Sequence, residues 1–182
     1  MHMYRYCHFQ SHNPMHNNWN TNWRYNWHPH HYNGNNNSWH PYANIILKDY
    51  GTRPFVVNID QATKRNNNYR TALWTGKHLQ VTLMNINVGD DIGLEVHPTT
   101  DQFIRIEEGQ GFVQMGDSRD KLDFQAMAYD DYAIMIPAGK WHNVTNTGNQ
   151  PLKIYVIYAP PEHPYGTVHK TKANAMAAEK QY

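Results

Sequence analysis

Cysteine is almost missing from this 182-residue chain, where Cys7 stands alone. A single thiol closes no disulfide within the chain and supplies no thiolate cluster for zinc, so any metal must be held by His, carboxylates or amides. Long apolar runs are missing as well. No stretch approaches the ~20 apolar residues of a membrane helix, and the opening MHMYRYCHFQ has no apolar core of the kind a secretory signal needs. Charge of one sign is also lacking: Lys and Arg number 16, Asp and Glu 15, for a net charge of +1. An electrostatic nucleic-acid binder needs a clustered basic face. Neither nucleic acid nor membrane is therefore an expected partner. Only 17% of residues are charged although the mean hydropathy is −0.84, so the polarity comes from uncharged side chains and His.

Those polar residues are unevenly spread. Residues 1–45 hold 11 Asn, 8 of the 13 His, 4 of the 6 Trp and 5 Tyr, and no Asp or Glu. Leu, Val and Ile are absent before Ile45, so this segment has nothing from which to build an aliphatic core. Asn-rich sequence with interspersed rings is low-complexity and adhesive in character. It is expected to be a disordered leader or an assembly segment, with residues 46–182 as the folded domain. The run His28-Pro29-His30-His31 within it is expected to bind metal only non-specifically.

From about residue 46 short apolar runs alternate with turn residues: PFVVNI, RTALWTG, LQVTLMNINVGDD, GLEVHP, QFIRIEEGQG, FVQMGD, AIMIPAG, NVTNTGN and PLKIYVIYAPP. Many show period 2 and are rich in Val, Ile, Tyr and Thr, which suits strands, and Gly, Asp, Asn and Pro mark the breaks. About ten short strands at close spacing predict an all-β antiparallel sandwich or barrel. No helix–strand alternation is present, which excludes a doubly wound sheet. The one helix expected is the terminal TKANAMAAEKQY, with Thr171 as its N-cap.

Chemistry concentrates in two places. Within Gly89–Gly109, Glu95 and His97 are two apart, and on a strand such residues share a face. Gln102 follows across Pro98-Thr99-Thr100 and shares parity with Ile104 and Ile106, so an amide is placed among aliphatics and needs a partner. In Ile136–Asn146, a turn built by Pro137 and Gly139 delivers His142 to another strand. Glu95, His97, Gln102 and His142 can thus converge inside a small barrel. Two His and one carboxylate match the facial set of non-haem Fe(II), and Zn or Mn also fits.

These residues resemble the cupin family. Its first motif spaces Gly, His-x-His, Glu and Gly as this chain spaces Gly89, Glu95-x-His97, Gln102 and Gly109; its second ends in Pro-x-Gly-x-x-His-x-x-x-Asn, matched by Pro137, Gly139, His142 and Asn146. Over about residues 75–160 the resemblance implies a jelly-roll barrel with a central divalent metal. Three positions depart: Glu95 replaces the first His, Gln102 the Glu, and Asp131 a Gly six before the Pro. Losing one carboxylate at 102 and gaining one at 95 keeps the site's formal charge at −1, which is compensated metal binding rather than decay. The same four donor types occur, in another order, in type I phosphomannose isomerases. The chain looks most like small single-domain cupins of Firmicutes labelled mannose-6-phosphate isomerase-like, an impression that Tyr158–Ala175 reinforces. The leader resembles the Tyr-, His- and Asn-rich ends of spore-coat proteins.

Three functions are in play. The first is a metal-dependent isomerase of a small sugar or sugar phosphate, the metal polarising a carbonyl oxygen, with no general base identifiable. The second is an Fe(II) or Mn(II) dioxygenase. The third is a non-enzymatic cupin scaffold in a spore-coat-like assembly. Expected localisation is the cytoplasm or a spore coat. A homodimer is expected through an outer face carrying Phe103 and Arg105, with higher assembly through the leader. Arg105 and Glu107 face outward by parity. Glu162, His163 and His169 are read as a proline-fixed loop packing on the barrel, with a lid or substrate contact as the alternative. Trp74, His78 and Tyr158 are weaker candidates for the cavity mouth. Lys140 and Arg70 are the candidate phosphate-binding cations.

Overall fold

The computed structural model describes residues 45–179; the Asn- and His-rich leader, apart from Ile45, and its HPHH run lie outside the described residues. The described chain runs α1 (Ile59–Arg65), β1 (Arg70–Thr75), β2 (Gln80–Ile86), β3 (Asp101–Glu108), β4 (Gln110–Gly116), β5 (Phe124–Tyr129), β6 (Ala133–Ile136), β7 (Trp141–Asn146), β8 (Leu152–Ala159), β9 (Val168–His169) and α2 (Lys172–Glu179). All strand pairs are antiparallel. One sheet has the order β6-β3-β8-β2-β1-β9 and the other β5-β4-β7. Ile104 and Ile106 of the first sheet pack with Val113, Met115 and Val144 of the second in one buried cluster. This is the expected all-β jelly roll with a short C-terminal helix.

Strand register sorts the interior by polarity. Gln80, Tyr158 and Gln102 lie side by side on β2, β8 and β3. Two residues further along come Thr82, Val156 and Ile104, and then Met84, Ile154 and Ile106. All nine are buried. One end of the barrel is therefore polar, and the rest, Thr82 apart, is an apolar plug whose burial stabilises the fold at roughly 25 cal/mol per Å² of apolar area.

A second core lies on the outer face of the larger sheet. Ala62, Leu73 and Leu83 form it, with Leu47, Tyr50, Phe55, Ile59 and Tyr155 packed around them. Here the structure corrects the sequence reading. PFVVNI is not a strand: it crosses this face as irregular backbone and leads into α1. Asn58 caps α1, its side-chain oxygen accepting from the Gln61 N–H at 3.0 Å. The Asn58-x-x-Gln61 spacing is a capping signature that the β-branched run before it hides. β5 and β9 were also unforeseen: FQAMAY carries little strand propensity, and β9 is only two residues long. The terminal helix is as expected, with Thr171 Oγ1 accepting from the Asn174 N–H at 3.2 Å.

Two backbone positions explain the motif's turn residues. Gly109 has φ +98°, and a Cβ there would sit 3.1 Å from the Pro151 carbonyl oxygen, so only Gly fits. Asp131, where the motif has Gly, keeps the left-handed conformation with φ 68°. Asp tolerates that region better than most residues, and its carboxylate is fixed by Arg105.

Candidate metal centre

Glu95 and His142 are brought together by the backbone. The Glu95 N–H donates to the His142 carbonyl at 3.1 Å, and the His142 N–H donates to the Glu95 carbonyl at 2.9 Å. The segment holding Glu95 is not a continuous strand. It touches β7 through isolated bridges at Asp91 and Glu95, which is enough to aim Glu95 at the residue opposite. His97 is tied to the second motif as well, because the Gly139 N–H donates to its carbonyl at 2.8 Å. Asn146 is a staple, not a donor to the site: its amide donates to the Ile86 and Gln150 carbonyls at 2.9 and 2.8 Å.

Three of the four expected side chains, Glu95, His97 and His142, come together. Glu95, His97 and His142 each offer one ligand atom, and the three atoms lie within 4.8 Å of one another. Glu95 Oε1 is 3.3 Å from His97 Nε2 and 3.4 Å from His142 Nε2. The far ring nitrogens are engaged elsewhere. His142 Nδ1 lies 2.9 Å from the Lys140 carbonyl oxygen, and a carbonyl only accepts, so Nδ1 carries the proton. His97 Nδ1 lies 3.1 Å from Glu162 Oε1, a charged acceptor that holds the proton there. Both Nε2 lone pairs are then turned toward Glu95, as metal-ligating histidines require. His142 is 1% exposed, and its Nε2 has no well-aligned hydrogen bond. Gln102, in the row with Tyr158, has a buried Oε1 with no partner. Among buried polar groups such orphans are uncommon, and His142 Nε2 sits where a cation between it, His97 and Glu95 would satisfy it. The donor set fits a borderline divalent ion.

The electrostatics agree. Burial alone would raise the Glu95 pKa, but the adjacent His142 and His97 imidazoles, the His97 charge whenever that ring is protonated, and the charge of Arg70 hold it well below the usual carboxylate range. Burial opposes charge on His97, and Glu95 and Glu162 outweigh it and raise its pKa. Burial pushes the Tyr158 phenol far up, keeping it protonated against the His97 ring, with centroids 5.6 Å apart. His163 is pushed down to about 3 by burial and by Arg70, so its imidazole is neutral.

A cavity of about 720 Å³ opens on Glu95 and His97, with Glu162, His163, Thr167 and His169 in its wall and Ala178 of α2 at its edge. The segment after β8 packs on the barrel, as its prolines suggested, and in doing so forms a wall of this cavity. Gln80 fixes that wall. Its amide nitrogen donates to the His163 carbonyl and to Thr75 Oγ1, each at 2.9 Å, and its oxygen accepts the His163 N–H at 3.0 Å. Asp49 extends the network, accepting from Thr75 Oγ1 at 2.6 Å and from the Gly166 N–H at 3.0 Å. Nothing in the local sequence pattern of Gln80 pointed to this role.

Several candidates stand elsewhere. Lys140 pairs with Asp117 at the surface. Trp74 donates to the Arg53 carbonyl at 2.8 Å, and His78 is exposed in the β1–β2 turn; neither lines this cavity. Tyr158 is fully buried beside His97 rather than at a mouth. Glu107 meets α1 instead of solvent, and Arg105 reaches it at 3.1 Å. Arg70 is 1% exposed, inside the fold, with its charge felt at Glu95 and His163.

Residues 82–158 match the family model described as Cupin domain. The chain is also 69% identical to BH2720 from Bacillus halodurans, whose crystal structure superposes with a TM-score of 0.72 over 72% of this chain and 99% of that one. The chain belongs to the cupin family. This cupin is 68% identical over 136 residues to the uncharacterized protein YrkC of Bacillus subtilis (strain 168), a match covering 75% of this chain and 73% of the relative. It is 38% identical over 115 residues to the uncharacterized protein L612 of Acanthamoeba polyphaga mimivirus, covering 63% and 70%. No helix among the described residues of the cupin is long and apolar enough to cross a membrane.

Proposed function

We propose that this cupin is a mononuclear metalloenzyme in which Glu95, His97 and His142, with Gln102 as a fourth donor, hold one Zn, Fe or Mn ion facing the 720 Å³ cavity. The observation that carries the reading is the pair of imidazoles whose Nδ1 atoms are engaged at the Lys140 carbonyl and at Glu162, leaving both Nε2 atoms aimed at one carboxylate. Such an ion would supply Lewis-acid polarisation of a carbonyl or hydroxyl oxygen. The chain's part is to orient the ligand. Neutral His163 and the Thr167 hydroxyl offer hydrogen bonds across the cavity from Glu95 and His97. Thr167 Oγ1 itself donates to the Pro164 carbonyl at 2.7 Å and is left as an acceptor.

Among the described residues, neither Lys nor Arg lines this cavity. A phosphate group would find no Lys or Arg side chain in that lining beside the proposed ion, so the reading favours a small uncharged sugar or hydroxy-carbonyl compound over a sugar phosphate. Isomerase-like chemistry on such a compound is our first assignment. The two-His, one-carboxylate set also supports an Fe(II) or Mn(II) dioxygenase as a second reading. The metal discriminates: zinc in the purified protein supports the first, iron the second, and a protein that binds none in any loading trial overturns both. The leader composition supports a separate role for residues 1–45 in assembly, including a coat-like layer. A scaffold without catalysis is what remains if no metal binds.

A further inference from the structure

Glu162 is the one carboxylate at this site that neither the motif nor its spacing announces. It arrives on the segment after β8, 65 positions from His97, and both of its oxygens are engaged: Oε1 lies 3.1 Å from His97 Nδ1, and Oε2 accepts from Thr100 Oγ1 at 3.0 Å. Thr100 is 3% exposed and sits in the turn separating His97 from Gln102. One chain of contacts therefore runs Thr100–Glu162–His97 and ties the turn, the cavity wall and the ring together. Engagement of both oxygens suits a group that orients rather than one that shuttles protons. We infer that Glu162 is a positioning residue for His97, fixing its tautomer and ring angle, and that Thr100 in turn fixes Glu162. The inference rests on the metal reading above. It also makes metal affinity depend on the Gln80 and Asp49 network that holds the cavity wall.

Removal of such an outer partner typically weakens metal binding 10- to 100-fold. The Glu162 side chain is 30% exposed, so the lower end, about tenfold, is expected for Glu162→Ala. Glu162→Gln keeps an oxygen that accepts from Nδ1–H and should recover most of the loss. Thr100→Val leaves Glu162 in place but unanchored and should cost less than Glu162→Ala. The probe is Co(II), titrated into chelator-treated full-length protein and followed by calorimetry and by its visible spectrum. The thermal transition of each metal-free variant is measured alongside. Support is graded affinity, wild type then Gln then Ala, with a changed cobalt spectrum in Glu162→Ala and an unchanged metal-free transition. Wild-type affinity and spectrum in Glu162→Ala, with binding lost in His142→Ala, overturn the inference and leave the metal centre standing. Equal losses in Ala and Gln that track a lowered metal-free transition overturn it in favour of a purely structural role. A wild-type chain that takes up no cobalt removes the metal reading and the inference together.

Discussion

Gln80→Met keeps the side-chain volume and removes the polar atoms that hold the cavity wall. Gln80 is fully buried, and three hydrogen bonds end on its amide: two to the His163 backbone and one to Thr75. A typical hydrogen bond contributes about 0.5–1.5 kcal/mol net, and a donor or acceptor left unsatisfied in a buried place costs about 1–3 kcal/mol. Thr75 keeps Asp49 as a partner, so its loss falls at the low end. The His163 N–H and carbonyl are part-buried, and the neighbouring Pro164 and Tyr165 are exposed, so partial rehydration limits the damage. The expected destabilisation is about 2–4 kcal/mol, a large share of the ~5–15 kcal/mol available to a domain. Urea denaturation of metal-free wild type and variant measures it as a shift of midpoint at constant slope. Because the freed segment carries Glu162, cobalt affinity should fall as well. A midpoint shift worth less than about 0.5 kcal/mol, below the net value of one hydrogen bond, refutes the reasoning, because the wall would then be held by something other than Gln80.

Metal-free protein should lose stability in mild acid through His163. Its pKa is about 3 in the fold against an ordinary 6.5, so below pH 6.5 the unfolded chain takes a proton that the folded chain refuses. Stability is full above 6.5 and declines toward pH 3, by up to about 1.4 kcal/mol per pH unit. His97 shifts the other way, so the measurement is the difference between wild type and His163→Gln at pH 7 and pH 5; parallel profiles contradict the assignment. Residues 1–45 carry no Leu or Val and only one Ile, and a chain beginning at Ala43 should melt close to the full-length temperature, whereas a drop of many degrees would show that the leader packs on the barrel. That shortened chain is expected as a discrete dimer in light scattering and the full chain as larger species that disperse below pH ~6.5, where the leader histidines charge; a full-length monomer at pH 8 and high concentration contradicts both expectations. Phe103 and Arg105 already meet Tyr155 and Asp131 within the chain, so any dimer face must use what they leave exposed.

The parts of the site legible in the sequence are those set by short-range periodicity. Glu95 and His97 share a face because they are two apart, the Pro137–Gly139 turn aims His142, and Gln102 falls on the buried parity of β3. The parts that were not legible depend on distant partners or on weak propensity. Glu162 meets His97 on a segment that Gln80 and Asp49, from β2 and the N-terminal segment, hold by hydrogen bonds, and no local pattern announces those partners. α1 hid behind a β-branched run, although Asn58 and Gln61 carry its cap. Strand β5 hid because Gln, Ala and Met have little strand character, and it is held in place by pairing with β4. Parity put Glu107 on the outer face, as observed, but says nothing of the helix laid over that face.

The central claim is that Glu95, His97 and His142 hold a metal. Elemental analysis of full-length wild type and His142→Ala, each loaded with Zn, Mn or Fe(II) and then dialysed, tests it most directly, with Gln102→Ala as an intermediate. About one ion per wild-type chain is expected, with a reduced but measurable content in Gln102→Ala and none retained in His142→Ala. One tightly held ion per chain in His142→Ala would contradict it.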